Sequence, residues 1–138
     1  MRILAVDPGE RKIGLAISDP VGIVARPLAT FDHESRGADA ARIVAVAAEH
    51  GVELILVGQA LEASGEVGPA ARHAEYLAAS IRDLTALPVL LHDESLSTQT
   101  AREAMLVSGR RRQDRHTLIH AASAAAILQS YLDAHSSE

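Results

Sequence analysis

Two acidic strand ends, one histidine and a knot of arginines hold most of the chemistry in this sequence. Asp7 follows the apolar run at 3–6, precedes Pro8-Gly9, and is trailed by Gly14 in a second apolar run. A carboxylate lifted to a strand end beside a glycine turn can ligate a divalent cation, because Mg²⁺ takes few, hard oxygen ligands. The same D-x-G-x-x-x-x-G spacing also suits a phosphate-binding hairpin, and Asp7 can equally cap the turn at Pro8-Gly9. Asp93 and Glu94 repeat the arrangement, closing the apolar run at 89–92 just before Ser97 and Thr98. If that run lies parallel to the first, its acids reach the sheet edge that holds Asp7, where ligands of open α/β sheets collect. Close carboxylates repel unless a cation sits between them. Alternatively, Asp93 and Glu94 favour the positive end of a following helix.

Arg110, Arg111, Arg112 and Arg115 are crowded into one short stretch. Guanidinium groups present a planar fork of donors to phosphate, and several on one loop suit a polyanionic backbone better than a small metabolite. The plainer alternative is a solvated charge cluster. His120 stands early in a segment that is otherwise almost all small or apolar. It is either a hydrogen-bonded core residue or, if Asp7 and Glu94 aim at the same edge, a third ligand. Arg11 and Lys12 stand on the turn after Asp7.

The elements that must position these groups follow from the apolar pattern. Residues 3–6 form a buried strand bounded by Asp-Pro-Gly, residues 12–18 a second, and residues 24–31 a third whose Pro27 requires an edge or a bulge. The alanine-rich stretch 37–50 has helical spacing and stops at Gly51. Residues 53–57 form a fourth strand. Pro69 starts a helix to about residue 84, and Pro88 introduces the strand at 89–92. A helix at about 97–107, a basic loop at 110–115 and a last helix to about 133 complete the order β-β-β-α-β-α-β-α-α. Strands alternating with helices imply parallel pairing in the second half, hence one mixed sheet with helices on both faces.

Composition narrows the function classes. The 138 residues include no cysteine, which excludes disulfides and thiol catalysis and fits a reducing cytoplasm. The length suits one domain over 1–138. No apolar run approaches the roughly 20 residues of a membrane span, and no leader pattern follows Met1. Aromatic residues are only 2% of the chain, so base stacking is not a main mode of nucleic-acid binding. The net charge of −5 argues against a general nucleic-acid coat, yet all but one of the 13 basic residues are arginine. No P-loop, G-x-S-x-G or H-E-x-x-H is present.

Four landmarks in order make the sequence resemble the YqgF/RuvX family, described as Holliday junction resolvases or pre-16S rRNA nucleases. They are Asp7-Pro8-Gly9 with Ile13-Gly14-Leu15-Ala16-Ile17-Ser18-Asp19-Pro20, then Leu56-Val57-Gly58, then Asp93-Glu94-Ser95-Leu96-Ser97-Thr98, and Ala121-Ala122-Ser123-Ala124 through Tyr131. The resemblance spans nearly the whole chain. It implies a ribonuclease H-like α/β fold, with a five-stranded mixed sheet in the order 3-2-1-4-5. It also implies a Mg²⁺ or Mn²⁺ nuclease site and cytoplasmic work on precursor rRNA or branched DNA, as a monomer or homodimer. By the same resemblance Asp7, Glu94 and the residue at position 120 are the metal ligands and catalytic groups; given such a site, the charge of Lys12, Arg110, Arg111, Arg112 and Arg115 suits them to contact nucleic acid. Position 120 is an acid in the family and a histidine here. Histidine suits Mn²⁺ and other transition ions better than Mg²⁺. Glu62, in the loop after the fourth strand, can restore the missing acid if that loop turns inward. Rival readings are a nucleic-acid-binding module without catalysis and a relative of actin-like ATPases.

Overall fold

A computed structural model describes residues 1–61, 64–93 and 112–135. The described elements are β1 (Ile3–Pro8), β2 (Lys12–Ser18), β3 (Ala25–Asp32), α1 (Arg36–Glu49), β4 (Leu54–Gln59), α2 (Pro69–Leu84), β5 (Val89–Asp93) and α3 (Arg112–His135). The strands form one sheet in the order β3-β2-β1-β4-β5. β1 pairs antiparallel with β2 and parallel with β4, and β4 pairs parallel with β5. This is the mixed 3-2-1-4-5 sheet that the resemblance implied.

Alternation along β1 and β2 divides the core in two. Leu4, Val6, Ile13, Leu15 and Ile17 face α1 and α2, whose Ala40, Ile43, Ala74, Leu77 and Ile81 complete one cluster. Ile3, Ala5 and Ala16 face the other way, with Leu54 and Leu56, onto Ala124, Ile127, Leu128 and Leu132 of α3. Helices thus cover both faces of a sheet whose central strands are apolar on both sides. Alanine dominates the helix faces, which lets backbones approach closely in a chain almost without rings.

β3 is the edge strand that Pro27 required. Its register with β2 shifts between Leu15 and Ala16, where the partners step from Ala29 to Pro27. A bulge at this point removes the ladder bond that proline has no N–H to make. α1 begins at a side-chain cap, Ser35 Oγ accepting from Ala38 N. The final helix departs from the sequence expectation. Arg112 and Arg115 belong to α3 rather than to a basic loop, because Arg and Gln are good helix formers and no Gly or Pro separates them from the helix. The expected helix at 97–107 lies outside the described residues.

Candidate active site at the carboxyl end of the first strand

Asp7 is the next-to-last residue of β1 and is only 9% exposed. Strand parity sends its side chain to the side of Ile3 and Ala5, the face that α3 covers. Its cross-strand partner is Gly14, which shares that face with Ala16. A Cβ built on Gly14 would stand 2.0 Å from the carbonyl oxygen of His120. The backbone of α3 at His120 therefore lies directly on the strand pair that carries Asp7. Two residues far apart in sequence are brought to one place by a single missing side chain. The contact is with the backbone of His120, at the position that the sequence marks as a third ligand.

The turn after Asp7 is tightly held. Gly9 N donates to Asp7 O at 3.1 Å, and His33 N donates to Arg11 O at 2.8 Å. His33 is in turn fixed by an ion pair from its Nδ1 to Asp39, which is 2% exposed in the first turn of α1. Asp39 also accepts from Glu34 N at 3.1 Å. A nearly buried carboxylate thereby clamps the β3–α1 connection, and that connection holds the β1–β2 turn. Sequence reasoning missed this brace; the only signal was an Asp in the first turn of a helix.

Lys12 opens β2 at the same end of the sheet and on the face of Asp7. Its Nζ lies 2.6 Å from Asp32 Oδ1, its partner in the β2–β3 register. The lysine holds the Asp32 carboxyl below its usual range, chiefly through this hydrogen bond and then through its charge. Both side chains are accessible, so the pair is weak and salt-sensitive.

On β5, His92 reaches Ser130 Oγ at 3.4 Å and meets the Tyr131 ring edge-on, so this parity also faces α3. Burial lowers the His92 pKa, Asp93 opposes that, and His135 reinforces it. Glu94 follows β5 directly in sequence and lies outside the described residues, as do Arg110, Arg111 and Glu62. Among the described residues no cluster of three His, Asp or Glu stands ready for a metal. A carboxylate oxygen of Asp7 and an imidazole nitrogen of His120, if both turned to one ion, would make a donor set that suits Mn²⁺ better than Mg²⁺.

A mixed five-stranded sheet in this order, with an acid at the end of its central strand and a helix packed across it, defines a ribonuclease H-like protein. Solved structures of that architecture align over nearly the whole chain. Thermus thermophilus RuvC in complex with a Holliday junction gives a TM-score of 0.61 at 19% identity, covering 99% of this chain and 96% of that one. The fowlpox virus Holliday junction resolvase gives 0.60 at 14% identity, covering 97% and 99%. The chain belongs to the RuvX Holliday junction resolvase family, whose description matches residues 1–134. Among its relatives is a protein of Geobacillus kaustophilus named "Putative pre-16S rRNA nuclease". It is 38% identical over 135 residues, covering 96% of this chain and 98% of the relative. A protein of Clavibacter michiganensis with the same name is 41% identical over 131 residues, covering 94% and 81%.

Proposed function

We propose that the chain is a metal-dependent endonuclease, with residues 1–138 as one catalytic domain acting in the cytoplasm. Its substrate is structured nucleic acid: the 5′ end of precursor 16S rRNA, a Holliday junction, or both. The observation that carries the reading is the nearly buried Asp7 carboxylate at a sheet edge, with the backbone of His120 packed on its partner Gly14. Family membership and the names of the relatives support the same reaction class.

Asp7, His120 and Glu94 would hold the Mn²⁺ or Mg²⁺ ion. When bound, the ion supplies Lewis-acid stabilisation of charge on the phosphate and a lower pKa for water. Asp7, pinned by the β1–β2 ladder, keeps an anionic oxygen at a fixed place. Lys12 moves from Asp32 to a phosphate oxygen of the scissile strand. Arg110, Arg111, Arg112 and Arg115 hold the backbone on either side. The brace of Asp39, His33 and Arg11 O keeps the turn from shifting as the backbone binds.

The test is cleavage of a four-way DNA junction and of a precursor 16S rRNA fragment, each with Mn²⁺ and with Mg²⁺. Asp7→Asn is expected to lower the rate by a factor on the order of 10² to 10⁴, the range seen for loss of one electrostatic or acid–base group. Equal cleavage by parent and variant would remove Asp7 from the reaction. Binding of either substrate with no turnover under any metal would leave a recognition module instead.

A further inference from the structure

The pole of the molecule opposite Asp7 carries an apolar surface that hydrolysis does not use. Met1, Val21, Ile23 and Val24 are exposed there by 61, 72, 66 and 57%. Such a cluster in one turn is unusual, because large aliphatic side chains lose favourable burial for no local gain. The turn is also unusually well fixed. Asp19 Oδ1 accepts from Ile23 N at 2.7 Å and Val24 N at 3.0 Å. Asp19 N donates to Val24 O, and Gly22 N to Asp19 O, both at 3.0 Å. Gly22 takes φ +75°, a conformation glycine adopts without strain. The Met1 ammonium donates to Pro20 O at 3.0 Å, and Gln129 Nε2 of α3 donates to Ile23 O at 3.0 Å. The chain thus spends hydrogen bonds to hold aliphatic side chains rigidly in water. Rigidity of that kind lowers the entropic cost of association.

Charge is distributed around this knuckle in both signs. A cleft of about 220 Å³ beside it is lined by Arg2, Ser18, Asp19, Pro20, Val24 and Arg26. Arg2 donates to His50 O at 3.3 Å, and among the described residues neither arginine forms an ion pair. Asp19, the acid in the cleft, already accepts the two turn amides through Oδ1. The end of α3 reaches the same pole. Gln129 bonds Ile23 O, Ala25 N and Asp133 Oδ1, and Asp133 is exposed.

We propose that this pole is the interface of a homodimer. Two copies pack knuckle against knuckle about a two-fold axis, with Arg2 and Arg26 of each facing Asp133 of the other. An isologous contact requires a self-complementary patch, and this pole holds the apolar, cationic and anionic parts together. A nucleic-acid strand is the poorer occupant, because it would set the aliphatic knuckle against phosphate. α3 runs from Gly14 at one end of the sheet to Gly22 at the other, so both Asp7 edges stay open in the dimer. The inference does not depend on the nuclease reading.

Analytical ultracentrifugation tests it. Four aliphatic side chains and a cleft fall at the low end of the ~800 Å² per partner of a standard interface. The expected dimer constant is therefore in the range of ~10–100 µM. Ile23→Asp and, separately, Val21→Lys are expected to weaken dimerisation at least about tenfold, with circular dichroism and Tm unchanged because both side chains face solvent. Arg26→Glu and Asp133→Arg should each weaken it, and the double variant should regain much of the loss. A parent monomeric up to ~500 µM would overturn the proposal and leave the knuckle to another polypeptide. So would folded knuckle variants that dimerise as tightly as the parent. Charge variants that dimerise normally would overturn the Arg–Asp pairing.

Discussion

Gly14 joins the two halves of the site because it has no side chain. A methyl group there would sit 2.0 Å from the His120 carbonyl oxygen and 2.8 Å from Ala121 N. These are backbone atoms that cannot swing aside, so Gly14→Ala must push α3 off the sheet. The expected loss is about 3 kcal/mol, the upper end for overpacking, measured by urea unfolding. The glycine itself was legible in sequence, as part of the Asp-Gly-Gly spacing. Its reason was not, since nothing in residues 7–14 announces a helix that arrives more than a hundred residues later. His73 offers a second test at this scale. Its Nε2 is buried without a hydrogen-bond partner among the described residues, and its ring meets His33 edge-on at 6.1 Å. Burial lowers its pKa below 6.5, His33 and Arg36 lower it further, and Asp39 and Glu10 oppose them. The folded protein therefore keeps His73 neutral where the unfolded chain takes up a proton. Stability from this source is present above about pH 6.5 and is lost as pH falls through the folded value. His73→Leu should flatten the fall in urea midpoint between about pH 7 and 5; an unchanged slope would assign the acid sensitivity elsewhere.

At the scale of elements, the β1–β2 hairpin depends on a helix it does not touch in sequence. Asp39 in α1 is bonded to His33 and Glu34 N, and His33 N holds Arg11 O. Asp39→Ala would remove a hydrogen-bonded charge that is almost fully buried. It should cost about 3 kcal/mol in urea unfolding. Asp39→Asn, which keeps an acceptor for Glu34 N, should cost less. Element boundaries were legible where Gly or Pro punctuates the chain. β2 and α2 fall where the sequence placed them, because Pro69 opens α2 and Pro20 follows Ser18 closely. α3 starts earlier than expected because Arg112 to Arg115 has no such punctuation. Pairings between distant elements were not legible from residues at all. The 3-2-1-4-5 order came from family resemblance, and the Lys12–Asp32 pair forms across 20 positions of chain. The expected ligand Glu94 and two of the four arginines lie outside the described residues, and of the other two expected ligands the structure gives a nearly buried Asp7 and a His120 whose backbone lies on Gly14.

At the scale of the whole molecule, α3 spans the sheet from the Asp7 end to the β2–β3 turn, and helices of the other face brace the hairpin from behind. No described helix is long and apolar enough to cross a membrane. A cation held by both Asp7 and His120 would tie α3 to β1. It should then stabilise the whole fold rather than a loop. At a metal concentration 100 times its dissociation constant, linkage gives about 2.7 kcal/mol. For a chain of this length that is a rise in Tm of roughly 10 °C. Mn²⁺ should produce the rise at lower concentration than Mg²⁺, because an imidazole ligand favours transition ions. His120→Asp should reverse that preference by replacing the nitrogen donor with a hard oxygen. Asp7→Asn should abolish the rise for both ions while leaving the metal-free Tm close to the parent value. The readout is thermal and needs no substrate, so it separates metal binding from turnover. A Tm that ignores both ions in the parent would show that this chain holds no cation at Asp7 and His120 in the absence of substrate.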